Sequence, residues 1–254
     1  MAALERPRVL FLWTVPRAVS TAFERAFMQR ADTQVLHEPF TAAYYYGPER
    51  GSARYQAEAV RPECSYAAIT AQVLAPCERP LRFVKDMAYC IDGVVELDAL
   101  GPLAEVRHSF LIRHPARTVP SLHRMSLDTA RTGWTYFDPA EIGYAGLLRL
   151  YRALEARGER PVVVDADRLL AEPEGTMQAY CEAHGLEFEP SMLRWEPGEV
   201  EAWKAWKGWH DHAEQSAGLQ RRAPRPLPTP SPELRSQVDE ALPAYQALLA
   251  HALG

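Results

Sequence analysis

Leu12-Trp13-Thr14-Val15-Pro16-Arg17-Ala18-Val19-Ser20-Thr21-Ala22 is the stretch whose reading decides the fold. Before it, Arg8 to Trp13 (RVLFLW) is a short, unbroken apolar run rich in strand formers; after it, a helical pattern runs from Ser20 to Arg30. The order is strand, loop, helix. Such a junction is a prepared anion site, because the first-turn amides lack partners inside the helix and the helix dipole is positive there. Ser20 is placed to cap the helix, with Phe23, Glu24 and Phe27 continuing it. Arg17 adds a guanidinium fork suited to a phosphate or sulfate. Read alone, the stretch also fits a capped core helix beside a solvated arginine. Neither G-x-x-x-x-G-K-[ST] nor a strand followed by G-x-G-x-x-G occurs, which argues against a nucleoside triphosphatase and a simple dinucleotide binder.

Outward from this junction, further short apolar runs at Thr33–Leu36, Leu81–Val84, His108–Ile112 and Pro161–Val164 suit buried parallel strands. Helical patterns at Ser65–Leu74, Ala140–Ala156 and Glu174–His184 fall between and after them. The alternation predicts an α/β fold with a central, mostly parallel sheet flanked by helices, in a single domain over residues 1–254. Three excursions interrupt it, near 44–62, 128–139 and 196–232. The last carries Trp203, Trp206 and Trp209 and then RAPRPLPTPSP before a closing helix from Pro232 to Ala252. Loops this long in a compact domain commonly serve as lids. On the closing helix, Val238, Leu242, Tyr245, Leu248 and Leu249 form a stripe expected to pack on the domain, and the oligomeric state is not legible.

With 254 residues, 47% of them hydrophobic, the chain can build one sizeable core and not two ordinary domains. A net charge of -5 argues against nucleic acid as a partner, since counterion release needs a broad basic face. Met1 to Arg8 has no apolar stretch before a cleavage site, and no window approaches the roughly 18 apolar residues of a membrane span. A cytoplasmic protein with no membrane partner is expected. Cys64, Cys77, Cys90 and Cys181 are widely spaced and are expected to be reduced core thiols.

A second stretch, Ser109-Phe110-Leu111-Ile112-Arg113-His114-Pro115-Ala116-Arg117-Thr118-Val119-Pro120-Ser121, reads as a buried strand ending in Arg113 and a Pro-started helix bearing Ser121. A strand end and the second turn of the following helix converge on one point, where a fork donor and a hydroxyl suit a second phosphate, although an Arg after a strand, read alone, is more often structural. Together the two stretches resemble the PAPS-dependent sulfotransferases of P-loop type, in particular small-molecule enzymes of bacteria. The resemblance runs from about Arg8 to Pro190, including Val163 to Glu174 and Gly185 to Phe188.

The resemblance implies that Arg17, Ala18, Val19, Ser20, Thr21 and Ala22 form a 5′-phosphosulfate loop and that Arg113 and Ser121 hold a 3′-phosphate. The implied donor is 3′-phosphoadenylyl sulfate (PAPS), the product PAP, and no metal is implied. Val19 stands where the family commonly has Gly, and His114 where Asp is frequent. In the C-terminal loop Lys207, or Lys204, is expected to reach the 3′-phosphate, with Gly208-Trp209 permitting close approach.

Sulfuryl transfer, like phosphoryl transfer, proceeds in line through a charge-bearing centre, so positioning and electrostatics carry most of the catalysis. A general base must take the acceptor's proton. Many family members place a His at the end of the third strand, but here that segment is Val84-Lys85-Asp86-Met87. Members resembling the trehalose sulfotransferases use a Glu after the second strand, which His37-Glu38-Pro39-Phe40 matches. Glu38 is therefore the expected base and His37 its rival. Lys85 would orient the base or touch the bridging oxygen, and Asp86 is a weaker candidate. In the plainer reading Glu38 opens a loop and pairs with Arg17 or Lys85. The partner is a small-molecule acceptor, phenolic, alcohol or sugar, walled by Tyr44, Tyr45, Tyr46, Trp134, Tyr136 and Phe137. Two alternatives stay open: a non-catalytic PAP- or PAPS-binding protein, and an enzyme that sulfates a hydroxyl to drive elimination or cyclisation.

Overall fold

The computed structural model describes residues 7–101, 106–206 and 208–254. Strand β1 (Arg8–Thr14) leads through residues 15–19 into helix α1 (Ser20–Phe27), then β2 (Thr33–His37) and α2 (Pro39–Tyr46). Next come α3 (Tyr66–Leu74), β3 (Leu81–Met87), β4 (Val106–Ile112), α4 (Pro115–Ser126), the short α5 (Thr129–Thr132) and α6 (Tyr144–Ala156). The chain continues with β5 (Val162–Asp165), α7 (Ala166–Ala171), α8 (Pro173–Ala183), the short α9 (Asp211–Glu214) and α10 (Arg235–Leu249). The five strands form one sheet in the order β2-β3-β1-β4-β5, every pairing parallel.

Burial on both faces explains why β1 and β4 read as largely continuous apolar runs, whereas the edge strand β2 is only partly buried. Phe11, Leu12 and Trp13 of β1 and Phe110, Leu111 and Ile112 of β4 have no exposed surface. One face packs on α1, where Phe27 stacks on Phe83 at 3.9 Å between centroids. The closing helix α10 packs on α6 and α4, and of its expected stripe Val238, Tyr245 and Leu248 are buried against the domain, Leu242 is partly buried and Leu249 is exposed. All four cysteines are free, but only Cys90 and Cys181 are in the core; Cys64 and Cys77 are partly exposed.

Three sequence expectations are corrected. Residues 44–46 are not loop but the last turn of α2, which begins at Pro39. That helix escapes an amphipathic search because buried and partly buried residues surround it. Ser20 does not cap α1: Val19 holds the cap position in the left-handed region, and no side chain caps the helix. The 196–232 excursion is not featureless, since it contains a 3₁₀ segment (Glu201–Trp206) and α9. Among the described residues no helix is long and apolar enough to cross a membrane.

Candidate active site

The carboxyl ends of β2, β3, β1 and β4 lie side by side, with His37 paired to Lys85, and Thr14 to both Met87 and Leu111. Everything that leaves the sheet at this edge therefore faces one crevice, where open α/β sheets bind ligands. A cavity of about 400 Å³ opens there.

Between β1 and α1 the backbone turns through two non-glycine residues in the left-handed region, Arg17 at φ 68° and Val19 at φ 70°. A β-branched residue at positive φ is strained by roughly 1–3 kcal/mol, so the surrounding packing must hold it. Val19 thus keeps the backbone shape that a glycine would adopt freely. The first-turn amides of α1 remain uncapped at the cavity that Val19, Ser20, Thr21 and Ala22 line.

Arg17 donates from Nε to Ser121 Oγ at 3.1 Å and from Nη1 to the Trp209 carbonyl at 3.1 Å. Arg113 donates from Nη1 to the Arg17 carbonyl at 3.3 Å and pairs with Asp167 at 3.4 Å. The two stretches singled out in the sequence thus touch, and Arg17, Arg113 and Ser121 all line the cavity. Burial pushes the Arg17 guanidinium below its ordinary range, and the charges of Arg124, Arg131 and Arg113 add to the effect. A cation so placed favours a bound anion. His114, standing where Asp was expected, accepts the Ala116 amide at 3.2 Å through Nδ1 and so caps α4 as a carboxylate would.

Across the cavity lies a buried charge network. Glu38, 6% exposed, sits at φ 47° immediately before α2, and its amide donates to the Lys85 carbonyl at 2.8 Å. This turn brings its carboxylate onto the Lys85 ammonium. Lys85 has no exposed surface and also faces Glu24 at 3.8 Å. Glu24 in turn holds His37 Nδ1 at 2.8 Å. Burial alone would raise the Glu38 carboxyl, but the Lys85 ammonium, with His37 and His210, outweighs it and holds the group at about 2. Lys85 is conversely pushed up: its burial would lower it, but Glu38 and Glu24 overcome that. Asp86 receives the Phe40 amide at 2.5 Å and the Thr41 hydroxyl at 2.6 Å. It anchors the start of α2 and does not line the cavity.

Glu38 lines the cavity, whereas His37 and Lys85 stand behind it. Lys85 touches Glu38 and does not itself line the cavity. Of the expected aromatic wall, Tyr45 and Trp134 line the cavity and Tyr44, Tyr46, Tyr136 and Phe137 do not; Tyr89, Trp206 and Trp209 complete it. Lys204 is exposed and paired with Glu201 at 2.5 Å, away from the cavity. Lys207 lies outside the described residues. Gly208 permits a close approach, but to the protein itself: at φ 88° its hypothetical Cβ would fall 2.0 Å from the Arg131 carbonyl oxygen.

Two site residues escaped the sequence reading. Glu24 looks like any helix residue, and only the fold sets it against His37 and Lys85. His210 comes from the C-terminal loop, lines the cavity, and places Nδ1 3.2 Å from Thr21 Oγ1. Its ring stands perpendicular to that of His37, 4.8 Å between centroids.

The fold is thus a parallel α/β domain with an arginine-bearing cavity at the carboxyl edge of its sheet, lined also by a carboxylate that a buried lysine holds from behind. More particularly, the chain belongs to the sulfotransferase domain family, whose profile matches residues 8–252. Its fold is similar to that of the sulfotransferase domain from the curacin biosynthetic pathway, with TM-score 0.57 and 14% identity over 98% of this chain and 100% of that one. It is also similar to the sulfotransferase domain from the Synechococcus PCC 7002 olefin synthase, with TM-score 0.53 and 15% identity over 95% and 96%. In sequence it is 28% identical, over 96% of its length and 42% of the relative's, to the branched-chain-amino-acid aminotransferase-like protein 2 of Arabidopsis thaliana. The chain spans less than half the length of the curated relatives it matches.

Proposed function

We propose that the protein moves a sulfuryl group from PAPS to a hydroxyl of a small molecule, without a metal in the transfer. The observation that carries this reading is the 3.1 Å contact between Arg17 and Ser121, which joins the two anion cradles on one cavity that also contains Glu38. Two adjoining cradles suit a nucleotide phosphorylated at both ends better than a single phosphate.

In this reading Arg17, Thr21 and the first-turn amides of α1 hold the 5′-phosphosulfate and receive the charge that develops as the sulfur–oxygen bond to it breaks. Arg113 and Ser121 hold the 3′-phosphate. Glu38 takes the proton of the acceptor hydroxyl as its oxygen bonds to sulfur; Lys85 fixes the carboxylate, and Glu24 fixes His37 beside it. Tyr45, Tyr89, Trp134, Trp206 and Trp209 offer faces for a phenol, an alcohol with an apolar body, or a sugar stacked on a ring.

The test is transfer of the sulfo group from PAPS to a panel of phenols, alcohols and sugars, followed by mass. A product retaining the sulfo group is expected. Glu38→Gln should lower turnover by about 10²–10⁴-fold while binding PAP as the parent does. Full turnover by that variant would remove Glu38 from its role, and PAP binding with no transfer to any acceptor would favour a nucleotide-binding protein.

A further inference from the structure

Glu38 and His210 line the cavity and His37 stands directly behind, and their ligand-bearing atoms all lie within 4.8 Å of one another. His37 Nε2 is 3.9 Å from Glu38 Oε2. The Nε2 atoms of both His37 and His210 are buried and find no hydrogen-bond partner among the described residues. A buried imidazole nitrogen without a partner is uncommon, and two beside one carboxylate oxygen point to something that all three can share.

The outer atoms of the trio are already fixed. Glu24 holds His37 Nδ1 at 2.8 Å, Thr21 Oγ1 meets His210 Nδ1 at 3.2 Å, and the Lys85 ammonium holds Glu38 Oε1. Each partner thus holds one atom of its residue, while His37 Nε2, 3.9 Å from Glu38 Oε2, and His210 Nε2 are left without a hydrogen bond among the described residues. Metal-binding histidines are oriented in this way by carboxylates and hydroxyls behind them.

We infer that His37, Glu38 and His210 bind a divalent transition-metal ion of the zinc class. Two imidazoles and one carboxylate suit zinc, cobalt or nickel and not magnesium or calcium, which take oxygen ligands. Bonds of about 2.0–2.1 Å set tetrahedral ligand atoms roughly 3.4 Å apart, so each side chain has to move by less than about 1 Å. The fourth position opens toward the cavity. The cationic Lys85 opposes the ion and Glu24 offsets it, so the site is one for reversible capture, not a permanent structural ion.

One consequence rests on the reading of Glu38 given above: a coordinated Glu38 cannot accept the acceptor's proton, so zinc suppresses transfer and a chelator restores it. The binding itself does not depend on that reading. Titration of the intact protein with cobalt(II) in chelator-free buffer is expected to give the intense visible absorption of a four-coordinate ion, bleached by zinc. His210→Ala should lose this band and bind cobalt at least tenfold more weakly, while His212→Ala, on the same loop, keeps it. A metal-free thermal unfolding curve matching the parent's would establish that His210→Ala is folded; should it not match, His210→Gln takes its place. Only the weak absorption of six-coordinate cobalt, or an intense band that persists without His210, would overturn the proposal. Either result leaves the PAPS transfer assay untouched, so the two readings fail separately.

Discussion

Lys85 sets the charge balance of the buried network, with one ammonium facing two carboxylates, Glu38 and Glu24, and none of the three more than slightly exposed. Lys85→Met removes the cation and leaves both carboxylates without it, so unfolding in urea should show a loss of about 3–5 kcal/mol; a loss under about 1 kcal/mol would contradict the network. The depressed Glu38 carboxyl makes a second prediction. Its folded value of about 2 lies below the ordinary 4.5, so it contributes stability that is complete above 4.5 and lost as pH falls toward 2. The same carboxylate is ionised across the whole range in which transfer can be measured. Between pH 5 and 8 kcat/KM should therefore show no rising acid limb. A rise centred near the ordinary imidazole value of about 6.5 would move the proton acceptor from Glu38 to His37.

At the scale of elements, the C-terminal loop is fastened to α1 and α5. Arg25 of α1 donates to the Ala213 and Glu196 carbonyls at 2.5 and 2.6 Å, Arg131 pairs with Asp211 at 2.8 Å, and Gly208 abuts the Arg131 carbonyl. Gly208→Ala sets a Cβ against that carbonyl at a φ that alanine resists, so the loop should lift. We expect faster proteolysis within residues 196–231 and a higher KM for nucleotide and acceptor, with the midpoint of global unfolding falling far less than in Lys85→Met. β1 and β4 were legible because burial on both faces writes apolar runs, and the β1–α1 and β4–α4 junctions because the residues of one turn are adjacent in the chain. Tertiary partnerships leave no such trace. His210 meets Thr21 across 189 positions, and Glu24 reaches His37 and Lys85 only because the sheet order sets β3 between β2 and β1. At position 19, too, the sequence alone does not show that Val19 takes the left-handed shape its side chain disfavours.

For the molecule as a whole, the strand order divides the work of the site. β1 lies at the centre; β3 and β2 on one side bring Lys85 and Glu38, β4 on the other brings Arg113 and, through α4, Ser121. Neighbouring parallel strands are about 4.8 Å apart, so β3 and β4 stand about 10 Å apart on either side of β1, from whose end Arg17 follows. If the β4 side reads a 3′-phosphate, the protein should bind PAP more tightly than adenosine 5′-phosphate, which lacks it. Arg113→Ala should then lose about ten- to hundredfold of that preference, as expected for a hydrogen bond to a charged group. Arg17→Ala, which removes the guanidinium shared by both cradles, should weaken both nucleotides. Glu38→Gln should leave the preference as it is, because its carboxylate stands on the opposite side of β1. Calorimetric titration of the four proteins with both nucleotides measures each ratio, and an Arg113→Ala protein that still discriminates as the parent does would separate the β4 cradle from the nucleotide.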